Sequence, residues 1–335
     1  MAESPITGRD RGSPGAAGNR RGPRRGRSVI PEVPLRSEAD ADPAQSSLPG
    51  ALLRAVVVYG GLALVFCVTL LVENHLDERE RTGLEQQALE VATFSGELLD
   101  QPAARLERVK AETARIREDF GVEVHFLYEP KQYFPRGWRA APISATGAQL
   151  PLDEVERVLP AIRASLERYP RQLIRDNLSD IYLVSGLTLF GELYGGTYDG
   201  SAIYMNSEGA AAGYTESEVR ATLHHEFSSI LMYGYGFDFA AWRAINERGF
   251  VYPDNALEII GRAESYEFND ALLAQGFLSG YARSNIENDI NVMAEWLFTQ
   301  RAYLQVLAGR YDRIDRKMHI ALQFYKAIDP TIEFD

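Results

Sequence analysis

At 335 residues, with 45% hydrophobic and 24% charged side chains, the chain has room for a tail plus one or two domains with a proper core. Its formal net charge of −12 hides seven arginines between Arg9 and Arg27 against one acid, Asp10; the remainder is therefore more acidic still, which argues against nucleic-acid binding by the folded part. One cysteine, Cys67, excludes a disulfide framework and a thiolate zinc knuckle.

Residues 1–50 are dominated by Gly, Pro, Ser and Arg without a hydrophobic period, and predict a disordered cytoplasmic tail. A solvated tail is the plain reading of the arginine run, and contact with RNA or anionic lipid is the alternative. Ala55 to Val72 holds 18 residues without a charge, about the length that crosses a bilayer core, so a transmembrane helix is expected over 51–73. The run starts too far from the N-terminus for an ordinary cleaved leader, and Phe66 precedes Cys67 where a lipidation site wants a small residue. Arg54 lies on one flank, and Glu73, Asp77, Glu78 and Glu80 on the other. By the positive-inside rule this predicts a single-pass anchor in the inner (cytoplasmic) membrane, with the C-terminal part extracytoplasmic, which in a bacterium is periplasmic.

Residues 74–120 read as a helical stalk, polar and rich in Glu and Arg, with its second helix over about 103–120. Val122 to Tyr128 alternates like a strand; His125 within it reads as packed or surface. Pro130 to Pro151 is punctuated by Pro and Gly and predicts irregular chain. A helix follows from Leu152 to about Arg168, closed by Tyr169-Pro170, then a short helix before Asn177. Asp180 to Ser185 and Ser201 to Asn206 predict strands separated by a turn-rich Gly191 to Gly200 stretch. Thr215 to Glu218 has the T-x-x-E form of a capping box and starts the next helix. Beyond it the pattern is mostly helical, with an aromatic-rich core.

The helix that follows Thr215 reads Thr-Leu-His-His-Glu-Phe-Ser-Ser over 222–229. A zinc helix of the HExxH type carries two imidazoles one turn apart, with a Glu beside the first as general base. His225 and Glu226 fit that pattern, but the position four residues after His225 is Ser229. Four after His224 stands Ser228, so neither histidine has an imidazole partner on its own face.

Taken in order, the Tyr-Pro helix end, the Ile-Tyr-Leu strand, the Gly-Gly-Thr turn, the Ile-Tyr strand and His224-His225-Glu226-Phe227 resemble the zinc-binding metallopeptidases related to the lethal-factor catalytic domain. Gly276 to Asn285, with Tyr281, followed by Ala294-Glu295, resembles that family's second motif, a Tyr before a helix of the form E-x-x-A-E. The match spans roughly 150–300. The resemblance implies Glu226 as base and Tyr281 as oxyanion donor. It also implies three zinc ligands, of which only His225 is kept: Ser229 stands at the second position and Asn291, four before Glu295, at the third. One imidazole, a hydroxyl and a neutral amide are a poor zinc set, and without the metal hydrolysis loses its Lewis acid. A rearranged set would draw on Glu287 or Asp289, with His224 and Glu295 nearby; His319 would join only if the fold returned it to the site.

The expected fold is α+β: an N-terminal transmembrane helix, then over 121–335 a metallopeptidase-like domain with a small sheet packed on the His225 helix and a helical second lobe. The expected function is that of a membrane-anchored pseudopeptidase binding an extended peptide or envelope protein, with β-addition along Ser201 to Asn206 as its mode. The alternatives are an active metal-dependent peptidase, zinc being the implied cofactor, and a structural membrane subunit assembling through the stalk helix.

Overall fold

The computed structural model describes residues 101–127, 133–253 and 267–334. The expected tail, the expected transmembrane helix and the first part of the stalk lie outside them. Among the described residues no helix is long and apolar enough to cross a membrane.

Helix α1, Pro102–Phe120, starts with a proline at its first turn, where the missing N–H costs nothing, and stops at Gly121 in the left-handed conformation. It is part of the domain rather than of a stalk: Val109, Ile116 and Phe120 are buried in the main core. Arg105 and Arg108 both reach Glu156 on α2, Leu152–Leu166. The folded unit therefore includes residues from about 102, and the 121 boundary moves forward.

The sheet has six strands: β1 Glu123–His125, β2 Thr146–Gln149, β3 Asp180–Leu189, β4 Glu192–Leu193, β5 Gly196–Asp199 and β6 Ala202–Asn206. Its hydrogen-bonded order is β1-β3-β6-β5, with β2 and β4 also pairing β3. β1 and β6 run parallel to β3, whereas β5 runs antiparallel to β6. β2 falls in the stretch expected to be irregular, and β4 and β5 in the one expected to be turns. All three are short strands in or beside Gly-containing turns, where a period of two has no room to show.

One expectation is corrected here. β6, which carries Ser201 to Asn206 apart from its first residue, is paired on both sides, to β3 from Asp180↔Ala202 onward and to β5 from Asp199↔Ala202 back to Gly196↔Met205. No ladder groups remain there for an added strand, and the sheet instead ends at β5.

Helix α3, Arg171–Asn177, follows Pro170. Helix α4, Glu216–Tyr235, begins at Thr215, whose hydroxyl accepts from Glu218 N as the capping pattern predicts, and ends at left-handed Gly236. It is buried almost all round between Val219 and Met232, because β5, β6 and α2 lie on one side and a later helix on the other. The rest is helical: α5 Phe239–Arg243, α6 Asp270–Gln275, a 3-10 turn at Tyr281–Arg283, α7 Ile286–Thr299, α8 Arg301–Ala308 and α9 Asp312–Ile328. The main core joins α4, α7 and α9 to one face of the sheet. A second cluster of Tyr133, Phe134, Trp138, Val184, Leu187 and Tyr204 covers the other.

Candidate functional site

Helices α4 and α7 face each other through two stripes of residues spaced four apart, 225, 229 and 233 on α4 and 287, 291 and 295 on α7. Four-residue spacing keeps each stripe on one helix face. Three rungs connect them. Nδ1 of His225 donates to Glu295 at 2.5 Å; Nδ2 of Asn291 donates to Oγ of Ser229 at 2.7 Å; the Tyr233 hydroxyl donates to Glu287 at 2.9 Å. A diagonal bond, Ser229 Oγ–H to Glu287 at 2.7 Å, ties the second rung to the third. Each step of four up one helix is a step of four down the other, so the contact is an antiparallel polar zipper.

The zipper takes up the two positions where the resemblance implies metal ligands. Ser229 and Asn291 are 1% exposed each, and both are engaged in the chain Asn291 to Ser229 to Glu287. The Ser229 proton is given to a carboxylate and its oxygen is taken by an amide. These residues do not fit a zinc set, since a hydroxyl and a neutral amide are weak donors to begin with and these are already bonded to each other. Among the described residues, no group of three or more His, Cys, Asp or Glu side chains is placed to hold a metal ion.

His225 keeps a feature of a ligand imidazole, a carboxylate on one ring nitrogen that fixes its orientation. Burial opposes its charge, but the Glu295 bond and the negative Glu226 beside it outweigh that and raise its pKa to about 9. Glu226 is pushed the other way. Burial, only partly offset by His225 and reinforced by Glu287 and Glu295, raises its carboxyl to about 7. Its side chain lies under β5, with Oε1 2.9 Å from where a Cβ on Gly196 would stand. The Tyr281 ring sits 5.9 Å from the His225 ring, and burial followed by the Glu226 and Glu295 charges raises its phenol pKa. His225, Glu226, Tyr281, Glu287 and Glu295 thus lie in one neighbourhood.

Other residues go elsewhere. Asp289 is two positions from Glu287, about 200° round the helix, and is buried on the opposite face. There it accepts from Lys317 Nζ (2.6 Å), Trp242 Nε1 (2.8 Å) and the Tyr252 hydroxyl (2.6 Å). It is not available to His225, and its place in a rearranged ligand set is withdrawn. Lys317 completes its shell with the Gly276 carbonyl at 2.8 Å and the Phe277 ring at 4.1 Å. His224 points into the core, hydrogen-bonded through Nδ1 to the Tyr169 hydroxyl at 2.8 Å and stacked on Phe298. Burial, then Arg220, depresses its pKa, so it is a neutral core histidine. His319 lies exposed on α9 beside Asp315, outside the site. His125 pairs with Asp180 at 2.6 Å and stacks on Tyr182.

Beyond Tyr281, the sequence reading missed three phenols near the site, Tyr233, Tyr198 and Tyr194. Tyr233 follows Ser229 by one turn and was visible from spacing alone. Tyr198 comes from β5; burial, then the charge of Glu287, raises its pKa. Tyr194 lies near enough to Tyr281 to affect it. Nothing in a Gly-rich stretch signalled the last two.

No family model matches the chain, and no curated protein does. A solved structure described as a "putative zinc-binding metallo-peptidase" from Bacteroides caccae is similar at 16% identity, covering 66% of this chain and 87% of that one, with a TM-score of 0.45. At that distance the likeness bears on neither activity nor ligand.

Proposed function

We propose that this domain is a pseudopeptidase: a metallopeptidase-like cleft that has given up its metal and holds an extended peptide or envelope partner. In this reading it stands on the periplasmic side of the inner membrane, anchored through 51–73. The observation that carries it is the Asn291, Ser229, Glu287 hydrogen-bond chain, which uses up the two altered ligand positions internally. The outer edge of β5 is the place for an added strand, because it ends the sheet and runs over Glu226.

A second reading, an active metal-dependent peptidase with rearranged ligands, draws support from the His225–Glu295 pair and the adjacent Glu226 and Tyr281. It predicts cleavage of peptides that chelation and Glu226→Gln each abolish.

One experiment separates the two. The full-length chain and its Ser229→His, Asn291→Glu double variant are incubated with zinc, desalted and assayed for metal. An empty native chain beside a loaded variant supports the pseudopeptidase. Stoichiometric zinc in the native chain overturns it.

A further inference from the structure

The carboxyl groups of Glu226, Glu287 and Glu295, on α4 and α7, lie near enough to one another for the last two to raise the pKa of the first. Among the described residues none of them forms an ion pair with a lysine or arginine, and His225 is the one basic group bonded to the set, through Glu295. Several other partly buried carboxylates are matched, as Glu156 is by Arg105 and Arg108, Glu154 by Arg157 and Asp119 by Arg163.

The hydrogen-bond inventory is lopsided in the same sense. Glu287 is satisfied by Ser229 and Tyr233. Glu226, only 7% exposed, has no hydrogen-bond partner among the described residues. Oδ1 of Asn291, on a side chain 1% exposed, has none either. Buried acceptors without donors cost free energy and are rare in folded proteins. Asn291 Oδ1, between Glu287 and Glu295 on α7, is one such acceptor, and with the unbonded Glu226 carboxyl it marks a place for a group that brings several N–H donors and a positive charge. The zipper meets solvent at its two end rungs, where Tyr233 is 42% exposed and the Glu295 side chain 22%. Tyr198, Tyr233 and Tyr281 supply rings near these carboxyl groups, and aromatic faces attract ammonium groups.

We infer that the degenerate centre binds the ammonium group of a lysine side chain from the peptide ligand, with Glu226 as its direct partner. The organic cation takes the electrostatic place that a metal cation would hold in a complete site. The inference rests on the peptide-binding reading above and names the residue class that reading leaves open. A lysine is favoured over a compact ion because the free acceptors lie on two helices and call for a donor with three N–H groups that enters on a slim stem.

The test uses the full-length chain and three fluorescein-labelled pools of blocked nonapeptides, random except for a central lysine, norleucine or glutamate. Binding is followed by anisotropy at low and at high salt. The expected result is at least a tenfold preference for the lysine pool over the norleucine pool, weakened by salt, with the glutamate pool weakest. Glu226→Gln, nearly the same in shape, is expected to bring the lysine pool down to the norleucine level; Glu287→Gln, which removes a charge from the same cluster, serves as a second variant if Glu226→Gln fails to fold, with a weakened lysine preference again expected. Equal binding of lysine and norleucine pools overturns the inference and leaves peptide binding standing. Failure of all three pools to bind overturns the peptide reading with it.

Discussion

Removing one hydroxyl tests the zipper most directly. Ser229→Ala leaves Nδ2 of Asn291 without an acceptor in a position 1% exposed, where its Oδ1 already lacks a partner. A buried polar group stripped of its partner costs about 1–3 kcal/mol. Glu287 also loses a donor, but it keeps Tyr233 and is open to water, so that loss adds less than about 1 kcal/mol. The sum is about 1–4 kcal/mol, which for a domain of this size lowers Tm by about 2–16 °C. The assay is thermal unfolding of the full-length chain followed by circular dichroism. Adding Asn291→Leu removes the stranded amide and is expected to recover at least half of the loss, because an apolar pair needs no partner. A Ser229→Ala protein that melts within about 1 °C of the native chain would refute the reasoning, as would a double variant less stable than the single one.

Three further outcomes are expected. Lys317→Met strands Asp289 in the core and is expected to cost about 3–5 kcal/mol, whereas Lys317→Met with Asp289→Leu recovers most of it; chemical denaturation of the three proteins checks both. Gly196→Ala places a Cβ 2.7 Å from Cγ2 of Thr222 and 2.9 Å from Oε1 of Glu226, an overpacking expected to cost about 1–3 kcal/mol. Thr222→Ser in the same chain removes one clash and is expected to return part of that stability. Burial raises the Glu154 carboxyl, but its bonds to Arg157 and Ser207 prevail and its pKa lies below the usual 4.5. Its contribution is therefore present above pH 4.5 and lost as pH falls through the lower folded value. Melting curves from pH 6 to pH 3 are expected to fall less steeply for Glu154→Gln than for the native chain.

Much of the site was legible because it lies on helices, where spacing is geometry. His225, Ser229, Asn291 and Glu295 could be set on facing stripes from their separations of four. By the same rule Asp289 could have been removed beforehand, since two residues from Glu287 is the far side of the helix. The zipper partner of each residue was not legible, because the register between helices almost 60 residues apart is fixed by tertiary packing. Strands were read less well than helices. β3 and β6 declared themselves through β-branched and aromatic residues. β2, β4 and β5 did not, so the strand with an open edge was taken to be β6. Likewise, α1 looked like a stalk from its charges, while the three side chains that bury it, Val109, Ile116 and Phe120, are too few to stand out in 19 residues.

The zipper also bears on how the domain depends on its surroundings. A helix pair clamped by a bound metal gains stability by mass action, as the logarithm of free metal over its Kd, so chelators and scarcity loosen it. A clamp made from a serine, an asparagine, a glutamate and a tyrosine of the same chain has its partners at a fixed effective concentration. The α4–α7 junction is then equally firm in metal-rich and metal-starved compartments.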